Sequence, residues 1–158
     1  MDFTSVEQFI KNKLEELKLP YFKIVVKQDG KELYNFRFSK YKDNNDLLAM
    51  YSMSKVITSV CFMKLVEKGL VNANELVSKY LPGYDNLKLK DGTKVKTPLT
   101  IKHLLTMSGG LDYNFGRNAI QKVIKENPEI TTSELVSFFP VDGLNFEPGE
   151  RFCYSLCL

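Results

Sequence analysis

Histidine and cysteine are scarce in these 158 residues: His103 stands alone, with Cys61, Cys153 and Cys157. A zinc centre built from imidazole and thiolate is therefore short of donors, and three cysteines without a repeated C-x-x-C make no disulfide framework. Arginine is as rare, at Arg37, Arg117 and Arg151, and the formal net charge of +3 is spread along the chain. A nucleic-acid surface gathers its basic residues on one face, so no nucleic-acid partner is expected. No apolar run approaches the ~20 residues needed to cross a bilayer, so no membrane segment is expected either. The opening MDFTSVEQFI has neither the basic nor the apolar stretch of a secretory signal, which makes a cytoplasmic location the expectation. Also missing are Gly-x-Ser-x-Gly, a phosphate loop ending in Gly-Lys-Ser/Thr, Gly-x-Gly-x-x-Gly and His-Glu-x-x-His.

What is present is an ordinary globular composition, 44% hydrophobic and 26% charged, sufficient for a core. Thr4-x-x-Glu7 has the form of a capping box, and Val6, Phe9, Ile10, Leu14 and Leu17 recur at helical spacing up to Pro20. YFKIVVKQ and KELYNFRF read as strands joined by Asp29-Gly30, a two-residue hairpin turn, and KDNND at 42–46 reads as a loop. From Met53 to about Lys68 a helix closed by Gly69 is apolar in nearly every direction, which predicts burial on all sides. Asn72-x-x-Glu75 predicts a shorter helix stopping at Pro82-Gly83, and LKLKDGTKVK a small hairpin at Asp91-Gly92. Thr100 is placed to cap a helix through Met107 that Gly109-Gly110 ends. Helices are predicted near 117–126 and 132–139, the latter opened by Thr131-x-x-Glu134 and stopped by Pro140. The last stretch pairs a Pro-Gly turn with an apolar run in which Leu156, Cys157 and Leu158 look like the opening of a buried segment. The expectation is an incomplete fold.

His103 lies in TIKHLLTM and reads as a packed or surface histidine, so a nucleophilic enzyme would use another base. One arrangement remains, Ser52-Met53-Ser54-Lys55, a Ser-x-x-Lys. The spacing arises about once by chance in a chain this rich in serine and lysine. Ser39-Lys40-Tyr41-Lys42 is a second instance, at a strand end before a polar loop, where Lys42 reads as solvated. Ser52 differs because it stands where a helix begins. There the positive end of the helix dipole favours negative charge on a nucleophile, and Lys55 is a neighbour one turn on. Burial around Lys55 would favour the neutral amine, which could take the serine proton. Alternatively, Ser52 is only an N-cap and Lys55 extends to solvent.

AMYSMSKVITSVCFMKLVEKGLV resembles the nucleophile helix of the serine β-lactamase and penicillin-binding-protein superfamily, in its class C and low-molecular-weight carboxypeptidase/esterase branch. TPLTIKHLLTMSGGLDY and FEPGERFCYSL resemble two further segments of that branch, in the same order. The resemblance implies an α+β fold of the β-lactamase/transpeptidase type, an antiparallel sheet with a helical region, here stopping before the C-terminal strands. It implies a single incomplete domain over 1–158. Residues 1–48 would carry the N-terminal helix and first strands, and 49–158 the nucleophile helix and helical region. By the same resemblance Ser52 is the acyl-accepting nucleophile, Lys55 its proton partner and Tyr154 the phenol that relays protons. The substrate would be a small molecule or peptide with an amide or ester carbonyl: a β-lactam, a D-amino-acid peptide or an ester. No metal or organic cofactor is implied. A non-catalytic ligand-binding or sensor module, or an inactive fragment on the same scaffold, is the alternative. Leu156 stands where the family has an asparagine, which bears on β-lactam and peptide specificity. Missing strands would expose the hairpin edge and invite self-association.

Overall fold

Asp29 and Gly30 both take positive φ, at 50° and 76°, the conformation that turns a two-residue hairpin with the twist of its strands. Around them β1 (Tyr21–Gln28) and β2 (Lys31–Ser39) pair antiparallel, from Tyr21 opposite Ser39 to Gln28 opposite Lys31, with a register shift between Val26 and Lys27. The computed structural model describes residues 2–41, 49–113 and 117–155. The loop read at 42–46 and the closing run 156–158, with Leu156, lie outside the described residues. The chain divides into two compact units, 1–49 and 50–158.

In the first unit the hairpin follows α1 (Thr4–Glu16), whose Ile10 and Leu14 are buried. The expected capping box does not form. Asp2 accepts from the Thr4 amide and hydroxyl at 2.9 and 2.6 Å, while Glu7 pairs with Lys11 at 2.6 Å and accepts from the Tyr34 hydroxyl. The carboxylate at the helix start is thus Asp2, five residues before the Glu7 of the sequence pattern, because Glu7 is drawn to the side of the helix. Phe3 stacks on Tyr34 with ring centroids 4.7 Å apart, fastening the helix entry to β2.

The second unit opens with a 3₁₀ turn, Tyr51–Met53, running into α2 (Ser54–Glu67). Gly69 follows at φ 68°, the left-handed closure expected of it. The predicted burial of α2 is overturned: none of its residues is buried, and Val56, Ile57, Val60, Met63 and Leu65 are exposed. Only Lys55, Ser59, Phe62 and Val66 are half-buried, a spacing that marks one helical face. The core forms elsewhere, from Val77, Tyr84, Leu87, Leu99, Leu111 and Leu144, with Leu81, Leu89, Val95, Ile101, Leu104 and Phe139 packed around it.

Most of that core sits on irregular backbone. The helix expected after Asn72 is replaced by turns and a short 3₁₀ segment, Val77–Lys79. Backbone pairing explains why: Leu76 bridges Thr100, the Val77 amide donates to the Leu99 carbonyl, and Ile101 and Lys102 donate to Glu75 and Ala73. Those groups are committed to a distant segment and cannot also close a helix. The hairpin at Asp91-Gly92 is present as a Lys88–Lys94 bridge with Gly92 at φ 85°, and Leu89 also bridges Leu144. Then come α3 (Ile101–Leu105), α4 (Arg117–Glu126) and α5 (Thr132–Leu135), the last with its capping box formed by Thr131 and Glu134. Pro140 does not stop the chain's helical course; it lies inside a 3₁₀ segment, Val136–Asp142, where it is buried. Among the described residues no helix is long and apolar enough to cross a membrane.

Candidate active site

Tyr51 holds φ at 44°, a left-handed conformation that costs a non-glycine residue about 1–3 kcal/mol. The kink places Ser52 in the single 3₁₀ turn ahead of α2. Ser52 is not the N-cap: that position belongs to Met53, which makes no side-chain cap. The local hydrogen bond back to the turn is made by Ser54, whose hydroxyl donates to the Tyr51 carbonyl at 2.6 Å. The Ser52 hydroxyl instead meets Lys55, whose Nζ donates to its Oγ at 3.3 Å. Lys55 can reach it because it opens the one half-buried stripe of α2.

Tyr154 comes from the far end of the unit. Its neighbours hold it: the Cys153 amide donates to the Met107 carbonyl at 2.7 Å, and the fully buried Ser155 directs its hydroxyl to the Met107 sulfur at 3.7 Å. With both flanking residues docked on the turn after α3, the ring of Tyr154 projects beside Lys55, its centroid 5.4 Å from Nζ. The phenol is lowered from its usual 10. Hydrogen bonding with Ser52 is the largest cause and the Lys55 charge acts in the same direction, against a desolvation that raises it. Ser52, Lys55 and Tyr154, the candidates from segments about a hundred residues apart, are brought together by the fold.

The turn that carries Tyr154 is pinned on both sides. The amide of Gly149, at φ 86°, donates to the Ser108 carbonyl at 2.8 Å, and an added Cβ would lie 3.2 Å from His103 Nε2. His103 Nδ1 accepts from the Thr100 amide at 3.2 Å, so its proton sits on Nε2. Burial and then the adjacent Lys102 lower its pKa below 6.5. The imidazole therefore works as a neutral brace under the Pro148-Gly149 turn. Glu147 accepts from the Lys96 and Thr97 amides at 2.9–3.1 Å, which holds its carboxyl below the usual range. Asn145 donates to the Gly110 carbonyl and the Asp112 carboxylate, tying this segment to the SGGLDY turn.

One neighbour escaped the sequence reading. Tyr113 lies against Tyr154 with ring centroids 5.7 Å apart and planes at 42°. It closes the quoted TMSGGLDY segment, but an aromatic after a turn has no periodicity to mark it. In the second Ser-x-x-Lys the Ser39 hydroxyl is hydrogen-bonded locally with Tyr41 at 3.1–3.3 Å, and Lys42 lies outside the described residues. Cys61 and Cys153 are free thiols, and among the described residues no cluster of His, Cys, Asp or Glu is placed to hold a metal.

Known proteins share this framework. An octameric penicillin-binding protein homologue from Pyrococcus abyssi matches 98% of this chain and 36% of its own, with a TM-score of 0.66 and 29% identity. The fold is thus of the β-lactamase/transpeptidase type. An acyltransferase from Penicillium decumbens is 30% identical over 122 residues, 71% of this chain and 29% of the relative. A lovastatin esterase from Penicillium rubens is 32% identical over 122 residues, 70% of this chain and 31% of the relative. The chain spans less than a third of the length of either fungal relative. The family model described as Beta-lactamase matches residues 6–157, nearly the entire chain, and this protein belongs to that family.

Proposed function

We propose that this chain carries the nucleophile-bearing part of a serine hydrolase or acyltransferase working through an acyl-enzyme on an amide or ester carbonyl. The observation that carries the proposal is the 3.3 Å bond from Lys55 Nζ to Ser52 Oγ, with the Tyr154 ring beside the same ammonium. Ser52 Oγ attacks the carbonyl carbon and a new C–O bond forms. The serine proton passes to Tyr154, whose ionised form Lys55 and Ser52 favour, while the Lys55 ammonium offsets charge growing on Oγ. When the C–N or C–O bond to the leaving group breaks, that proton goes to the leaving atom. Water or an acceptor hydroxyl then releases the acyl group by the reverse sequence. The relatives described as acyltransferase and esterase make esters the first substrates to try.

One observation favours a second reading, a binding module or a piece inactive by itself. The apolar sides of α2, the helix that Ser52 precedes, are exposed. Intact mass after incubation with a fluorophosphonate, and separately with a penicillin, decides between them. A single adduct of at least about 10³-fold faster formation than in Ser52→Ala supports the nucleophile. Labelling that persists in Ser52→Ala removes the assignment. A folded chain that takes no label supports the second reading.

A further inference from the structure

Tyr113 is half exposed, yet its backbone is firmly tethered. Leu111, two residues before it, is a core residue. Asp112, adjacent, accepts from Asn145 Nδ2 at 2.9 Å and from Lys90 Nζ at 3.4 Å. Asn145 also holds the Gly110 carbonyl twice, through its amide at 2.8 Å and its side chain at 3.1 Å. The same short segment therefore fixes the loop bearing Tyr113 and, nine residues on, the strand-like run bearing Tyr154. A tethered aromatic with its ring on another aromatic restricts where that second ring can swing. The position matters because Tyr154 is itself exposed, at 42%.

We propose that Tyr113 is a positioning residue for Tyr154: its ring, packed at 5.7 Å and tilted by 42°, aims the Tyr154 phenolic oxygen at Ser52 and Lys55. This rests on the reading of Tyr154 as the proton relay. Tyr113 and Lys55 are the ionisable groups that act on the Tyr154 hydroxyl, beside the Ser52 hydroxyl. Donation from Tyr113 stabilises the phenolate, so its loss raises the pH at which Tyr154 ionises. A purely structural contact would not move that titration in a folded chain.

The test is a pH titration of tyrosine ¹³Cζ resonances in the wild-type chain and in Tyr113→Phe, with Tyr154→Phe to assign the signal and amide spectra to establish folding. The expected result is an upward shift of the Tyr154 midpoint in Tyr113→Phe. In the wild type, the Tyr113 resonance should inflect at the Tyr154 midpoint, a readout that needs no variant. An unmoved midpoint, or a Tyr113 signal blind to Tyr154 ionisation, overturns the role. Fluorophosphonate labelling of Ser52, run alongside, separates the two ideas. Labelled Ser52 with an unmoved midpoint removes the Tyr113 role alone. A moved midpoint with no labelling removes the relay reading and leaves the aiming contact standing.

Discussion

α2 is the most regular element of the second unit and buries nothing; the loops between residues 77 and 155 are its least regular part and hold nearly all of the core. Regularity and burial are different properties. A helix satisfies its own backbone whatever lies beside it, whereas a loop can be buried only if every amide and carbonyl finds a partner. The second unit meets that condition with long-range backbone bonds such as Leu144 to Lys88 and Asn145 to Gly110. The difference shapes the site. Ser52 and Lys55 owe their proximity to helical spacing, while Tyr154 owes its place to the loop network through Cys153, Ser155 and Met107.

The largest loss is expected from Leu144→Ala, at a fully buried position in the loop core. It should cost about 2–5 kcal/mol in urea unfolding followed by circular dichroism. A loss no larger than at a surface site would mean that the loop core does not hold the unit together.

Glu147→Gln probes the network with a smaller and pH-dependent effect. The carboxylate is held below 4.5 by the Thr97 and Lys96 amides, so its contribution is complete above that pH and is lost as pH falls through the lower folded value. The variant should be less stable than wild type at neutral pH, and the gap should close in acid. A gap that is constant with pH would show that the charge on Glu147 is not what the amides recognise.

Smallest of all should be Val56→Ser on the exposed side of α2, within about 0.5 kcal/mol of wild type. A loss rivalling that of Leu144→Ala would reveal that something covers this face in solution, and the contrast between the two regions would then vanish.

Short-range chemistry was legible in the residues. Asp29-Gly30 between alternating runs marked both strands with nearly their observed ends, because a turn needing two positive φ angles admits few sequences. The Thr131–Glu134 box formed as written. Departures came where a side chain or segment outside the local pattern competed. The Thr4 cap lost its partner when Glu7 turned to Lys11 and Tyr34, and the helix after Asn72 gave way to pairing with the segment around Thr100. The apolar composition of α2 does not specify its burial, because composition states what a helix tolerates around it, not what is there.

Sequence alone determined the family, through three ordered segments, and the neighbourhood of Ser52 and Lys55, because three residues along a helical turn always bring side chains together. Tertiary structure decided how the ring of Tyr154 reaches Lys55, that His103 lies under a turn, and that Tyr113 stands against Tyr154. Those outcomes depend on backbone bonds between segments tens of residues apart, whose partners no local pattern specifies.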